Sequence, residues 1–317
     1  MTVAFIYSGQ GSQYSGMGLE LYDTYPQVKK VIDKASSLLN LDFVQLYQNE
    51  EKLNWTPYTQ PAILALSFGI DRLLRDNGFH PEVVAGLSLG EYTALTSADV
   101  FRFDQVIPFV HERGKAMTEA YPSGGAMSAV LGAEKEKVES VCKDISNQAY
   151  VAPANYNMPG QIVIAGTVDG VRLASEELSK EKRVRCIQLQ VSGPFHTALL
   201  EPASKKIEKL LQNEKLQKPA IPVYANTHAK SYETIEEIKE TLVEQVQSPV
   251  RFEEMIEKMI SDGVDCFVEI GPGKTLSRFI KKINRSVVIT HVDDEKSLQK
   301  TLTVLKEYRE EFNRDDK

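Results

Sequence analysis

The chain has 317 residues, 42% apolar and 26% charged, with 37 basic against 44 acidic side chains and a formal charge of −7. That balance can bury a sizeable core without disulfides or metals, and it excludes disordered, collagenous and low-complexity classes. The acidic sign argues against a general nucleic-acid coat, while leaving room for local basic patches.

Val3 to Tyr7 is a short apolar run halted by Ser8-Gly9-Gln10-Gly11, the pattern of a buried strand entering a tight turn. Helical patterns follow over 26–39 and 61–77, then a strand over 83–85 that runs directly into Gly86-Leu87-Ser88-Leu89-Gly90 with a helix behind it. Strands alternating with helices predict an α/β core with a mainly parallel sheet. From 124 to 191 the rhythm changes to strand (127–131), helix (134–145), two strands (150–154 and 161–165) and helix (169–180), with a final strand within 183–191. Asn157-Met158-Pro159-Gly160 reads as the turn between the paired strands, and Asp169 as the N-cap of the second helix. This βαββαβ order predicts a ferredoxin-like insert over 124–191, with the α/β body formed by 1–123 and 192–317. The body resumes with strands over 223–225, 266–270 and 287–290, and the charged end from 307 to 317 is expected to fray.

Cys142, Cys186 and Cys266 are odd in number and widely separated, and no H-x-x-x-H spacing occurs, so neither a disulfide framework nor a structural zinc site is expected. No apolar run approaches the roughly 18 residues of a membrane helix, and residues 1–9 carry no cationic stretch leading into a long apolar one. The expectation is a reduced, soluble, cytoplasmic protein.

Gly86-Leu87-Ser88-Leu89-Gly90 fits G-x-S-x-G between a strand and a helix. Flanking glycines allow the sharp turn that lifts a serine hydroxyl from the sheet edge at a helix N-terminus, where the N–H of Leu89 can face an oxyanion. The competing reading is a glycine-rich turn with Ser88 as an ordinary N-cap. A nucleophilic serine needs a base. His80 precedes Pro81 in a loop and His111 lies mid-helix, whereas His196, His228 and His291 each follow a predicted strand, and local pattern does not choose among these three. Gly9-Gln10-Gly11 fails the dinucleotide fingerprint because Tyr14 occupies the third glycine position, and Gly273-Lys274-Thr275 fails the P-loop because residue 268 is Val. Arg113 alone reads as a solvated helix arginine. Two basic runs, Lys180, Lys182, Arg183 and Arg185, then Lys274, Arg278, Lys281, Lys282 and Arg285, read as solvated faces or as docking surfaces for an acidic partner.

Taken together, an ordered set of short motifs resembles the malonyl-CoA:acyl-carrier-protein transacylases. It comprises Gly9-Gln10-Gly11-Ser12-Gln13, Thr59-Gln60-Pro61-Ala62, Ser88-Leu89-Gly90-Glu91-Tyr92, Arg113-Gly114 with Met117, and Pro159-Gly160-Gln161. Ser192-Gly193-Pro194-Phe195-His196, Gln245 with Ser248-Pro249-Val250, and Glu269-Ile270-Gly271-Pro272-Gly273 complete it. The resemblance implies an α/β-hydrolase-like core with a ferredoxin-like insertion. It implies that Ser88 is acylated and that His196 is the base, its imidazole oriented by the backbone carbonyl of Gln245. The N–H groups of Gln10 and Leu89 would form the oxyanion hole. Arg113 would bind the malonyl carboxylate, with Gln60 and Asn155 lining the pocket and Phe195 favouring malonyl over methylmalonyl groups. One departure is Leu87, where many members carry His.

The activity so implied is ping-pong transfer of malonyl from malonyl-CoA to the phosphopantetheine thiol of acyl carrier protein, with no metal or redox cofactor. The carrier would dock on a basic surface drawn from Arg278, Lys281, Lys282, Lys182 and Arg183, with no nucleic acid or membrane as partner. Three other readings compete. One is a serine hydrolase, against which Arg113 and the want of an obvious triad acid both weigh. The others are an acyltransferase serving a polyketide assembly line and a non-enzymatic carrier-docking module.

Overall fold

The computed structural model describes residues 2–191 and 193–315. Ser192, where the second body segment is expected to open, lies outside the described residues, as do Met1, Asp316 and Lys317. In chain order the strands are β1 (Val3–Tyr7), β2 (Val83–Gly86), β3 (Gly125–Leu131), β4 (Val151–Met158), β5 (Gln161–Thr167), β6 (Arg185–Gln188), β7 (Val250–Arg251), β8 (Cys266–Ile270) and β9 (Val288–Val292). One sheet has the order β2-β1-β8-β9 with all its pairs parallel. Its central strands are buried throughout and apolar but for Glu269, because both faces are covered. Val3, Phe5, Tyr7, Val268 and Ile270 enter the main core, while Ala4, Ile6 and Phe267 enter a second cluster with Phe252, Met255, Ile256 and Ile280.

The other sheet has the order β6-β3-β5-β4-β7. Its first four strands pair antiparallel, and β7, from after the 124–191 segment, joins β4 in parallel. One face carries the helices Lys135–Ile145 and Val168–Leu178 over a core that includes Val130, Val138, Val141, Ile162, Ile164, Val171 and Leu178. The opposite face sends Met127, Ala129, Ala154, Val163 and Ala165 into the main core. The second sheet is thereby tied to the main core by packing as well as by β7.

Several expectations are corrected. The helix expected from residue 61 begins at Thr56 and runs to Asp76, with Pro57 in its first turn and Pro61 inside it. An interior proline removes the N–H that would bond the carbonyl four residues back. Here that carbonyl, on Pro57, is instead met by Nδ1 of His111 at 2.7 Å. The N-cap of the helix Val168–Leu178 is Thr167, whose hydroxyl accepts from the Gly170 N–H at 3.0 Å, and not Asp169. Asn157 and Met158 belong to β4, leaving the turn to Pro159 and Gly160. Residues 223–225 form isolated bridges, Val84 with Val223 and Tyr224 with Ser231, in place of a named strand. The charged C-terminal segment is helical as far as Asp315. Leu298, Leu302 and Leu305 bury one side of that helix, and Arg309 donates to the Gly78 carbonyl at 2.9 Å. No helix among the described residues is long and apolar enough to cross a membrane.

Candidate active site

The turn between β2 and the helix Leu89–Ser97 is built on contacts that only glycine allows. A Cβ on Gly86 would lie 2.1 Å from the carbonyl carbon of Gly90, and one on Gly90 would lie 2.1 Å from the Tyr7 carbonyl oxygen. The chain is thus forced sharply over the ends of β1 and β2, and Ser88 takes φ 55° and ψ −102°, a strained geometry for a residue with a Cβ. Its hydroxyl makes no capping hydrogen bond, which removes the N-cap reading. The Ser88 backbone N–H instead donates to Asn226 Oδ1 at 2.6 Å, and Asn226 Nδ2 donates to the Gly86 carbonyl at 2.7 Å. Leu87 packs against the second core cluster, so its aliphatic side chain serves packing.

Of the three histidines that follow predicted strands, His196, which the resemblance implied and which is also at positive φ (61°), lies beside Ser88. Its Nδ1 lies 2.8 Å from the Gln245 carbonyl oxygen and its Nε2 lies 2.8 Å from Ser88 Oγ. A carbonyl can only accept, so Nδ1 carries the proton and Nε2 is free to accept from the serine hydroxyl. Burial pushes the imidazole down to about 4, helped by the Arg113 charge and opposed by the hydrogen bond to Gln245. The imidazole is therefore neutral at ordinary pH. His228 is exposed and lies 3.8 Å from Glu244, and His291 falls inside β9 with Asp293 at 3.9 Å.

Arg113 is fully buried, not solvated. Its helix, Phe103–Ala120, directs the guanidinium beside the serine. Nη1 donates to Gln60 Oε1 at 2.9 Å, and Nη2 donates to Gln245 Oε1 at 2.8 Å and to Ser88 Oγ at 3.4 Å. The guanidinium also lies 5.0 Å from the Tyr92 ring centroid. These partners are neutral, and Nε has no hydrogen-bond partner among the described residues. The Glu91 charge supports the guanidinium, but none of its hydrogen-bond acceptors among the described residues is a carboxylate, an unusual setting for a buried cation.

The chain matches the family of acyl transferase domains over residues 4–313. It is 41% identical over 309 residues to the malonyl CoA-acyl carrier protein transacylase of Bacillus subtilis, covering 96% of this chain and 98% of the relative. The solved malonyl CoA-acyl carrier protein transacylase of Clostridium perfringens is 41% identical with a TM-score of 0.94, covering 98% of each chain. A malonyl-transacylase solved in complex with its type II polyketide acyl-carrier protein is 38% identical with a TM-score of 0.92, covering 96% of this chain and 99% of that one. The chain belongs to the acyl transferase domain family.

The other groups named from the sequence of this acyltransferase are placed as follows. Leu89 is the first residue of its helix, where the N–H has no intrahelical partner. Gln10 donates through Nε2 to Thr56 Oγ1 at 2.9 Å and accepts from Gln60 Nε2 at 3.4 Å, so hydrogen bonds link the β1 turn to Arg113 through Gln60. Phe195 is buried in the main core beside His196, and Asn155 is buried in β4 opposite Val250. Both glycine turns lie against the sheet edge. A Cβ on Gly9 would sit 2.3 Å from the Leu87 carbonyl oxygen, and one on Gly271 would sit 2.4 Å from Ser67 Oγ.

Sequence reasoning assigned no role to Asn226, Tyr232 or Glu91. Glu91 is fully buried and is pushed up to about 7 by burial, against the hydrogen bonds of Tyr232, Gln245 and Asn226 and the Arg113 charge. A carboxylate in an otherwise uncharged helical run was a usable signal. Asn226 and Tyr232, far from Ser88 in sequence, offered none.

The second basic run of the acyltransferase lines a cavity, and only the backbone of Arg183 from the first run lies near that end of the second sheet. The Arg183 carbonyl packs on Gly132, which donates its N–H to the Gly160 carbonyl at 2.8 Å, and the next residue, Gln161, lines that cavity, of about 570 Å³. Arg278, Lys281, Lys282 and Arg285 line its other side, with Met158 and Phe279 supplying apolar surface. The helix Thr275–Ile283 that carries most of these cations is anchored by Glu269, whose carboxylate accepts from the N–H groups of Leu276 (3.0 Å) and Ser277 (2.7 Å).

Proposed function

We propose that this protein transfers the malonyl group from malonyl-CoA to the phosphopantetheine thiol of acyl carrier protein, supplying fatty acid elongation. The observation that carries the reading is the buried Arg113 guanidinium, held only by neutral acceptors, at 3.4 Å from the hydroxyl of a Ser88–His196 pair. A planar guanidinium suits a carboxylate, and bidentate binding would offset the cost of its burial.

In this mechanism Ser88 Oγ attacks the thioester carbonyl as its proton passes to His196 Nε2. The oxyanion is received by the N–H groups of Gln10 and Leu89. Collapse expels CoA, whose sulfur takes the proton from His196, leaving malonyl-Ser88. The carrier thiol then gives its proton to His196, attacks the ester, and the returning proton restores Ser88. The Gln245 carbonyl orients the imidazole, Gln60 holds Arg113, and Asn155 and Phe195 shape the acyl pocket. No metal or redox cofactor enters any step. The reading also takes the body as α/β-hydrolase-like and the 124–191 unit as a ferredoxin-like insert, a reading supported by the strand order β6-β3-β5-β4. It places the protein in the cytoplasm, in keeping with three free cysteines.

The test is intact-mass spectrometry with malonyl-, methylmalonyl- and acetyl-CoA in competition. A single malonyl adduct mapping to Ser88 and discharged by the thiol of holo carrier protein is expected; a chain left unmodified by malonyl-CoA would refute the reading. Carrier docking is assigned to the basic surface of Arg278, Lys281, Lys282, Lys182 and Arg183. Reversing charge at Lys281 and Lys282 should raise KM for carrier protein several-fold, more so at low salt, without changing KM for malonyl-CoA. An unchanged carrier KM returns both lysines to the solvated surface.

A further inference from the structure

Behind Ser88 and His196 lies a carboxylate that the transfer steps do not use. Glu91 sits in the first turn of the helix Leu89–Ser97, fully buried. Its Oε1 accepts from the Tyr232 hydroxyl and from the Asn226 N–H at 3.3 Å, and its Oε2 accepts from Gln245 Nε2 at 2.5 Å. The two ends of the Gln245 amide are alike in shape and opposite in hydrogen-bonding sense. With Nε2 placed between Glu91 Oε2 and the Ser88 carbonyl (3.0 Å), the amide oxygen is left facing Arg113 Nη2 at 2.8 Å. Turned over, the amide would set oxygen against the Ser88 carbonyl and, when Glu91 is ionised, a carboxylate, and an NH2 group against a guanidinium.

We propose that Glu91 is a positioning residue for the substrate-carboxylate clamp: by accepting from Gln245 Nε2 it locks that amide with its oxygen on Arg113, and so holds the guanidinium ready for the malonyl carboxylate. The inference rests on the assignment of Arg113 to the substrate carboxylate. It separates substrate recognition from base orientation within one residue. The Gln245 side chain serves Arg113, whereas its backbone carbonyl serves His196 and does not depend on which way the amide faces.

The test is Glu91→Gln, which replaces an acceptor facing Gln245 Nε2 by an NH2 group and favours the turned-over amide. The expected result is a rise in KM for malonyl-CoA of roughly tenfold or more, the loss associated with a hydrogen bond to a charged group, with a much smaller change in kcat. Acylation by acetyl-CoA should fall far less. In an Arg113→Ala background, Glu91→Gln should cause no further loss of malonyl-over-acetyl selectivity. Equal losses with both thioesters, or the same selectivity loss with and without Arg113, would overturn the proposal. If Glu91→Gln fails to fold, Gln245→Met removes the amide while keeping the backbone carbonyl on His196. It should show the same rise in malonyl KM, and retained selectivity there would equally overturn it. Failure of the underlying reading shows separately, as unchanged selectivity in Arg113→Ala alone.

Discussion

Arg113→Ala is expected to lower kcat/KM for malonyl-CoA by roughly a hundredfold to several thousandfold, the range for truncating one partner of a buried, hydrogen-bonded charge pair. Acetyl-CoA presents no carboxylate, so its slow acylation of Ser88 should be largely kept, and the ratio of the two rates measured by adduct formation is the informative quantity. Arg113→Lys should recover only part of the loss. A lysine keeps the charge but cannot span Gln60, Gln245 and a carboxylate with one planar fork. Equal losses with malonyl and acetyl thioesters would end the clamp assignment. Thermal melting should accompany the kinetics, because the truncation also leaves the amide oxygens of Gln60 and Gln245 without their donor.

His196→Ala should reduce kcat by about 10²- to 10⁴-fold, the usual contribution of a positioned general base. The pH dependence is a sharper check. Because burial holds His196 down to about 4, its neutral form persists as pH falls through the ordinary histidine range. Inactivation of Ser88 by a neutral sulfonyl fluoride, which does not engage Arg113, should stay fast through pH 6.5 and decline only towards pH 4. A midpoint near 6.5 would show a solvated, ordinary imidazole. The same shift affects stability. Between about pH 6.5 and 4 the unfolded chain binds a proton at this site that the folded chain does not, so the stability present above 6.5 is lost as pH falls through that interval.

Much of the fold is legible in local pattern. β1 and β8 fall on the expected residues, as does the helix Pro26–Leu39, because each is an uninterrupted periodic run bounded by breakers. The misplacements have tertiary causes. The helix Thr56–Asp76 tolerates Pro61 since His111, from another helix, bonds the carbonyl that the proline leaves free. The C-terminal helix continues past residue 307, where Tyr308 packs against the main core and Arg309 bonds the Gly78 carbonyl.

The sequence by itself determined the alternating α/β order, the strand–turn–helix setting of Ser88 and, through the ordered motifs, the family. These are local properties, set by hydrophobic periodicity and by glycines where no other residue fits. The motifs implied His196 as the partner of Ser88, which local pattern had left open, but only the tertiary structure gave the distance between them, the burial of Arg113 and what holds its guanidinium. Each depends on groups distant in sequence: Ser88 and His196 are 108 residues apart, and Arg113 and Gln245 are 132 apart. Burial then set the chemistry. Desolvation keeps His196 neutral, and Arg113 is hydrogen-bonded by neutral amides with Glu91 one step further on, behind Gln245, so the overall charge of −7 says little about a site organised around buried groups.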